Sequence, residues 1–148
     1  MEFIKENPVN IIKRDKQISI RNDEIMVNCK SIQDADDLAE TLDVMLNKGD
    51  AVVSIDYMDF LNGSDRIEYS LELYKDIAVD NCSESICKTQ LSDNHKCIIC
   101  IVGNVTLADA TGIIEKAMSD EGCKQAALFG FVYDEIHQEN KFDMYIFV

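Results

Sequence analysis

The chain has 148 residues, 47% of them apolar, and its 28 acidic against 14 basic side chains give a formal net charge of −14. This length and apolar content predict one folded domain, while the charge disfavours nucleic-acid and membrane-surface partners, which require lysine and arginine clusters. No apolar run approaches the roughly 20 residues that span a bilayer, and the N-terminus lacks a signal-peptide pattern, so we expect a cytoplasmic protein.

The first third of the chain predicts an arm, a hairpin and a helix. Residues 1–15 show little pattern and are expected to form a loosely packed arm. Residues 17–20 and 24–29 read as two short strands around a polar turn. Ser31 can cap a helix, and Gly49 is a natural stop for it. The apolar stripe of this helix follows helical spacing and comprises Ala35, Leu38, Ala39, Leu42, Met45 and Leu46.

The middle third is predicted to contain a strand, a helix and a long loop. Residues 51–57 read as a strand. Ser64 can cap a second helix, in which Ile67, Leu71, Tyr74 and Ala78 would share one face. Residues 80–95 are polar, with no firm period, and are expected to form a loop.

The last third carries the clearest pattern. Residues 97–102 form an apolar run that stops at Gly103, which is typical of a strand buried on both faces. Thr106 can cap a following helix. Two further strands are predicted at residues 126–133 and 141–148, joined by a polar loop.

The order of these elements predicts a layered α/β fold. Helices would pack on a mixed β-sheet of about four strands, with the N-terminal β-hairpin beside it. The sheet is expected to be mixed because the last connection is too short for a parallel crossover. The whole chain, residues 1–148, is expected to be a single domain.

From residue 34 onward the chain resembles the C-terminal domain of the FtsZ/tubulin superfamily, which runs helix, strand, helix, strand, helix, strand, strand. Residues 63–66, GSDR, resemble that family's helix start Gly-Glu-Asp-Arg. Residues 100–107, CIVGNVTL, resemble its strand-turn-helix text NITGGxDL. Residues 127–130, ALFG, followed by a polar loop and a final strand, resemble its closing segment. The resemblance implies an isolated C-terminal domain.

A nucleotide-binding loop is expected to be missing. Superfamily members bind GTP in a separate domain through a glycine-rich loop, GGGTGxG, whose backbone donors cradle the phosphates. The six glycines of this chain, at 49, 63, 103, 112, 122 and 130, are too far apart for such a loop. We therefore expect no GTPase activity, no catalytic residues and no cofactor in this chain.

Two acidic segments resemble the family's NxDxxD loop, whose carboxylates complete the active site of the next subunit in a filament. By position the candidate segment is residues 31–36 (SIQDAD), which includes Asp34, but Gln33 stands at the first acidic position and only Asp36 matches. By sequence text the closer segment is residues 54–59 (SIDYMD), with Asp56 and Asp59, although it lies too near Gly63. The alternative interpretation is structural. Asp34 and Asp36 would then be first-turn carboxylates that favour a helix N-terminus, and Asp56 and Asp59 would be acids at a strand end.

The cysteines and histidines suggest a zinc site at first sight. Without an export signal, the six cysteines are expected to be reduced thiols. Zinc requires four thiolate or imidazole ligands in a tetrahedron, but Cys97 and Cys100 would point to opposite faces of a strand. We therefore expect buried Cys97 and Cys100 and no metal, although one weak candidate set remains: Cys82, Cys87, His95, Cys97 and Cys100.

Two functions are compatible with these patterns. The first is a non-catalytic protein-interaction module that binds or regulates FtsZ-type filaments, or that self-associates. The second is a small-ligand-binding or enzymatic α/β domain that shares only the layered architecture, since fold does not fix function. A concave pocket lined by convergent polar groups would favour the second.

Overall fold

The computed structural model describes residues 9–48, 50–61, 66–81, 98–119 and 128–147. Within these residues, seven strands form one mixed sheet in the order β1-β2-β3-β4-β7-β5-β6. The pairs β3–β4 and β5–β6 are parallel, and the other neighbours are antiparallel. The strands are β1 (Ile11–Arg14), β2 (Gln17–Ile20), β3 (Ile25–Asn28), β4 (Ile67–Ala78), β5 (Ile98–Gly103), β6 (Leu128–Tyr133) and β7 (Lys141–Phe147).

Three α-helices accompany the sheet in the described part of the chain, which confirms the α/β class. They are α1 (Ile32–Asp43), α2 (Tyr57–Leu61) and α3 (Leu107–Ser119). A π-helical turn, Val44–Lys48, extends α1, and a short 3-10 turn, Val79–Asn81, follows β4. None of the described helices is long and apolar enough to cross a bilayer.

The predicted caps of α1 and α3 are confirmed. The Ser31 side chain accepts a hydrogen bond from the Asp34 backbone N–H at 3.1 Å, and Thr106 accepts one from the Asp109 N–H at 3.1 Å. Each bond satisfies a donor that has no partner inside its helix. The stripe of α1 is also buried, with Ala35 and Leu38 fully inaccessible.

The sheet separates two apolar cores, because successive strand residues point to opposite faces. In β5, Ile98, Cys100 and Val102 join the core on the α1 and α2 face. Ile99 and Ile101 join the core on the α3 face. The prediction that this strand is buried on both faces is therefore confirmed.

Residues 67–78 form strand β4, so the predicted helix over this segment is wrong. Strand β4 pairs with β3 on one side and β7 on the other. Tyr69 and Leu71 are buried two residues apart, as in a strand. The register shifts between Tyr74 and Ile77, so the spacing of the apolar residues changes along the strand and imitates a helical period.

The predicted strand over residues 51–57 is also wrong. Only Val53 pairs there, through an isolated bridge to Phe131 of β6, and α2 begins at Tyr57. This helix is anchored through Phe60, whose carbonyl accepts a 2.6 Å hydrogen bond from the Tyr69 hydroxyl. The Phe60 ring also packs edge-on against Phe147, with centroids 5.1 Å apart.

The N-terminal part of the chain is more ordered than predicted. Ile11–Arg14, expected within an arm, forms β1 and pairs with β2, and α1 packs against both strands. The predicted hairpin is confirmed as β2 and β3, and β3 joins the same sheet through β4. The sheet therefore has seven strands where about four plus a separate hairpin were expected.

Candidate functional site

A cleft of about 410 Å³ opens between α1 and the ends of β5, β6 and β7. Its walls combine three kinds of side chain. The aliphatic groups are Val44, Val102, Val132 and Ile136. One lysine, one histidine and three hydroxyl groups also reach it. Five carboxylates complete the lining: Asp37, Glu40, Asp50, Asp134 and Asp143.

The helix contributes one face to this cleft. Asp37, Glu40 and Thr41 of α1 and Val44 of the following π-helical turn line it. Their spacing of three and four residues places them on one side of the helix. This face lies beside the buried stripe of Ala35, Leu38 and Leu42. The packing of that stripe on the sheet therefore fixes the direction in which the cleft face points.

An ion pair closes one side of the cleft. Lys75 of β4 donates from Nζ to Oδ2 of Asp37 on α1. This hydrogen bond raises the pKa of Lys75 above its usual value, because the carboxylate favours the charged ammonium. The pair joins the helix to the sheet and uses one of the five carboxylates.

His137 lies between two other carboxylates of the cleft. Its Nδ1 is 3.1 Å from Oδ2 of Asp134, in the same loop, and its Nε2 is 2.9 Å from Oδ2 of Asp143 on β7. Only 16% of the His137 side chain and 17% of the Asp143 side chain are exposed. Both ring nitrogens of His137 therefore contact carboxylate oxygens of this chain.

The loop that carries His137 is held in place by backbone contacts. The Asn104 side-chain amide donates to the His137 carbonyl at 3.2 Å, and the Asn140 N–H donates to the Asn104 carbonyl at 2.9 Å. Asp143 also contacts β4, because its Oδ1 accepts a hydrogen bond from the backbone N–H of Asp76 at 2.8 Å. Asp76 has a φ of 58° at the irregularity in β4, so Asp143 joins that bend to the loop.

Two buried hydroxyl groups, of Thr41 and Tyr145, also line the cleft. Thr41 is 9% exposed and Tyr145 is 3% exposed. Burial raises the pKa of the Tyr145 phenol, and a hydrogen bond with the Thr41 side chain acts in the opposite direction. A buried hydroxyl that keeps its proton can donate or accept hydrogen bonds.

These groups favour binding of a cation and do not form a metal centre. In the described part of the chain, no group of three or more histidine, cysteine, aspartate or glutamate side chains is arranged to hold a metal ion. Carboxylates exceed cationic groups in the lining, so the local field attracts positive charge.

The first pair of sequence candidates lies on α1 but outside this cleft. Asp34 is a half-buried residue of the first turn, where its backbone N–H is capped by Ser31. The Asp36 carboxylate is exposed and forms an ion pair with Lys13 of β1. The lining carboxylates on this helix are instead Asp37 and Glu40.

The second pair lies at the start of α2. Oδ2 of Asp59 accepts the Asp56 backbone N–H at 2.9 Å, and the Asp59 N–H donates to the Asp56 carbonyl at 3.0 Å. This reciprocal arrangement caps the helix. The expectation that these acids end a strand is wrong, because α2 replaces that strand.

Of the weak zinc candidates, Cys82, Cys87, His95 and Cys97 fall outside the described residues. Cys100 is confirmed as buried, at 1% exposure. Burial raises the pKa of its thiol to about 12, so at neutral pH it is protonated.

Sequence reasoning missed the residues of the cleft. His137 falls in the polar loop predicted between the last two strands, and Lys75 falls in the predicted second helix. One signal was available: between Phe142 and Phe147 of β7, Asp143 is the only charged residue, and its neighbours in that stretch are buried. A lone carboxylate in such a strand indicates a specific partner.

The fold is similar to that of a mutant FtsZ from M. jannaschii. The two chains are 14% identical, with a TM-score of 0.55, and the aligned region covers 78% of this chain and 39% of the FtsZ chain. At this identity the similarity shows an FtsZ-like fold. The sequence matches no protein-family model and no curated protein sequence.

Proposed function

We propose that this chain is a non-catalytic, cytoplasmic protein-interaction module that corresponds to the C-terminal domain of the FtsZ/tubulin superfamily. The observation that carries the proposal is the FtsZ-like fold, which extends over 78% of this chain but 39% of FtsZ. The order of β5, α3, β6 and β7 supports it, because it agrees with the strand, helix, strand, strand order that ends that domain.

The glycine spacing supports a role without nucleotide chemistry. The six glycines are isolated from one another in the sequence, whereas a phosphate loop needs several within a few residues so that backbone donors can approach the phosphates. A module of this kind would keep part of a filament-contact surface without hydrolysing GTP itself. We therefore place its activity in binding.

We favour an FtsZ-type filament over a second copy of this chain as the partner. Each copy carries a formal charge of −14, so two copies repel each other unless their contact surface is locally basic or apolar. Filaments of the superfamily also contain the surfaces that a C-terminal domain meets in the polymer.

The test is an assembly assay with FtsZ from the same organism. Light scattering and GTP turnover would be measured while this chain is added at increasing ratios to FtsZ. The proposal predicts a dose-dependent change in polymer mass and a matching change in turnover. Unchanged scattering and unchanged turnover at a several-fold molar excess would contradict it.

The cleft favours a second candidate function, a small-ligand-binding or enzymatic α/β domain. Convergent polar groups in a concave site are typical of ligand binding, and His137, Asp143 and Lys75 line the same cavity. A thermal-shift screen against cationic metabolites tests this alternative. It predicts a saturable rise in melting temperature with one chemical class, which is absent for neutral analogues of the same size.

A further inference from the structure

We propose that the cleft between α1 and the ends of β5, β6 and β7 receives an arginine side chain from the partner protein. This inference rests on the proposed binding function, and it names the surface and the chemistry of the contact. The arginine would enter from the rim near Tyr133 and place its guanidinium between Glu40 and Asp50.

The charges of the cleft are not balanced internally. Asp37 pairs with Lys75, and His137 lies between two further carboxylates. In the described ranges, neither Glu40 nor Asp50 forms an ion pair. Both remain exposed at the cleft, so a positive group that enters meets two carboxylates without displacing an existing pair.

Two buried hydroxyl groups, of Thr41 and Tyr145, add polar atoms to the cleft wall. Thr41 and Tyr145 interact with each other, which uses one donor. Two hydroxyl groups bring two donors and several acceptor lone pairs, so their mutual bond leaves acceptor capacity on these oxygens. A guanidinium has five N–H donors, so it could use these oxygens together with the carboxylates.

The wall beside these groups suits arginine in particular. The Tyr133 ring is half exposed and lines the cleft, and its hydroxyl donates to Oδ1 of Asn104 at 3.2 Å. That bond fixes the ring, and guanidinium groups stack well on aromatic faces. The aliphatic part of the arginine would contact Val102 and Val132.

The size and rim of the cleft favour a protein partner. A cavity of about 410 Å³ is near the lower end of ligand sites, roughly 300–1,000 Å³, and suits one or two side chains. Ile136 at its edge is 90% exposed. A residue next to the arginine in the partner could cover Ile136.

The test uses a short acetylated peptide, Leu-Arg-Leu between glycines, titrated into labelled protein by nuclear magnetic resonance. A citrulline peptide, nearly identical in shape but neutral, is the matched ligand control, and argininamide represents a small free cation. We expect shift changes confined to residues around Glu40, Asp50 and Tyr133 with the arginine peptide. The citrulline peptide should bind at least about threefold more weakly.

The matched protein variants are the pair E40Q and D50N combined, and Asp15→Asn as the control. Asp15 is exposed in the β1–β2 turn at a φ of 55°, which asparagine tolerates. Two exposed ion pairs contribute modestly, so the double variant should weaken peptide binding about threefold to tenfold, and Asp15→Asn should leave it unchanged. A melting curve for each variant confirms that it is folded.

Several results would overturn the inference. They are shift changes scattered over the acidic surface, equal binding of the citrulline peptide, unaltered binding by the double variant, or argininamide binding as tightly as the peptide. Light scattering with FtsZ separates the two proposals. If the double variant still changes assembly as the unmodified chain does, the binding function stands and the cleft inference is wrong. If the peptide binds as expected but FtsZ assembly never responds, the filament proposal is wrong.

Discussion

The Nε2 atom of His137 lies 2.9 Å from Oδ2 of Asp143. Because the other oxygen of Asp143 accepts the Asp76 N–H at 2.8 Å, one carboxylate connects the β6–β7 loop, β7 and the bend in β4. The bend at Asp76 lies 67 residues before Asp143 in the sequence. Asp143 therefore has a structural role at the edge of the cleft in addition to its charge.

Removing this carboxylate should destabilise the protein. Asp143→Ala leaves the Asp76 N–H without its acceptor and frees His137, so we expect the free energy of unfolding to fall by about 1–3 kcal/mol. Asp143→Asn keeps an acceptor oxygen and should lose less. Urea denaturation measures both, with the exposed loop residue Glu139→Ala as control. An Asp143→Ala protein as stable as the control would contradict this role.

Two glycines should respond to alanine with opposite signs. A Cβ at Gly103 would lie 2.5 Å from Cα of Phe142 and 2.6 Å from the Lys141 carbonyl oxygen, so Gly103→Ala must push β5 and β7 apart. We expect a loss of about 1–3 kcal/mol. A Cβ at Gly112, within α3, meets nothing within 4 Å, so Gly112→Ala should gain roughly 0.5–1 kcal/mol. Thermal unfolding of both variants checks the sign, and two shifts in the same direction would contradict the packing described.

The stability of the β2–β3 hairpin should depend on pH through Asp23. A hydrogen bond from the Ser19 hydroxyl, together with Arg14, holds the pKa of Asp23 below its usual value. The folded-state pKa is lower than the unfolded one, so this contribution is present above about pH 4 and is lost as pH falls through the folded pKa. Ser19→Ala should raise the pKa of Asp23 in a carboxyl-carbon titration. An Asp23 titration that Ser19→Ala leaves unmoved would show that the hydroxyl is not the cause.

The two described cysteines should resist alkylation in the folded protein. Burial raises the pKa of Cys100 to about 12, and burial together with the Asp34 carboxylate raises that of Cys29 to about 11. At pH 8 roughly one thiol in a thousand or fewer would be ionised, against about a quarter for an ordinary cysteine. Iodoacetamide labelling followed by peptide mass spectrometry, with and without urea, measures this. Equal labelling of Cys100 in both conditions would contradict its burial.

Elements with local signals could be predicted from the sequence. Ser31 and Thr106 mark the starts of α1 and α3 through bonds within three residues. Strand β5 is recognisable from its unbroken apolar run, which arises because its residues are buried on both faces. In each case the pattern and the capping residues lie within the same short segment, so no long-range information is needed.

Strand β4 could not be predicted in this way because its partners decide its structure. It pairs with β3 and β7, and strand preference depends on such cross-strand neighbours more than on the segment itself. The shift between Tyr74 and Ile77 further hides the alternation. The same long-range pairing brings Asp143 next to Asp76. Local sequence patterns therefore could not predict the cleft.

The most direct test of the account is co-sedimentation with FtsZ filaments from the same organism. This chain would be mixed with FtsZ in the presence of GTP, and the pellet compared with that of the E40Q/D50N double variant. We expect the unmodified chain to pellet saturably with polymer and the double variant to pellet clearly less. Recovery of the unmodified chain entirely in the supernatant, with polymer in the pellet, would contradict it.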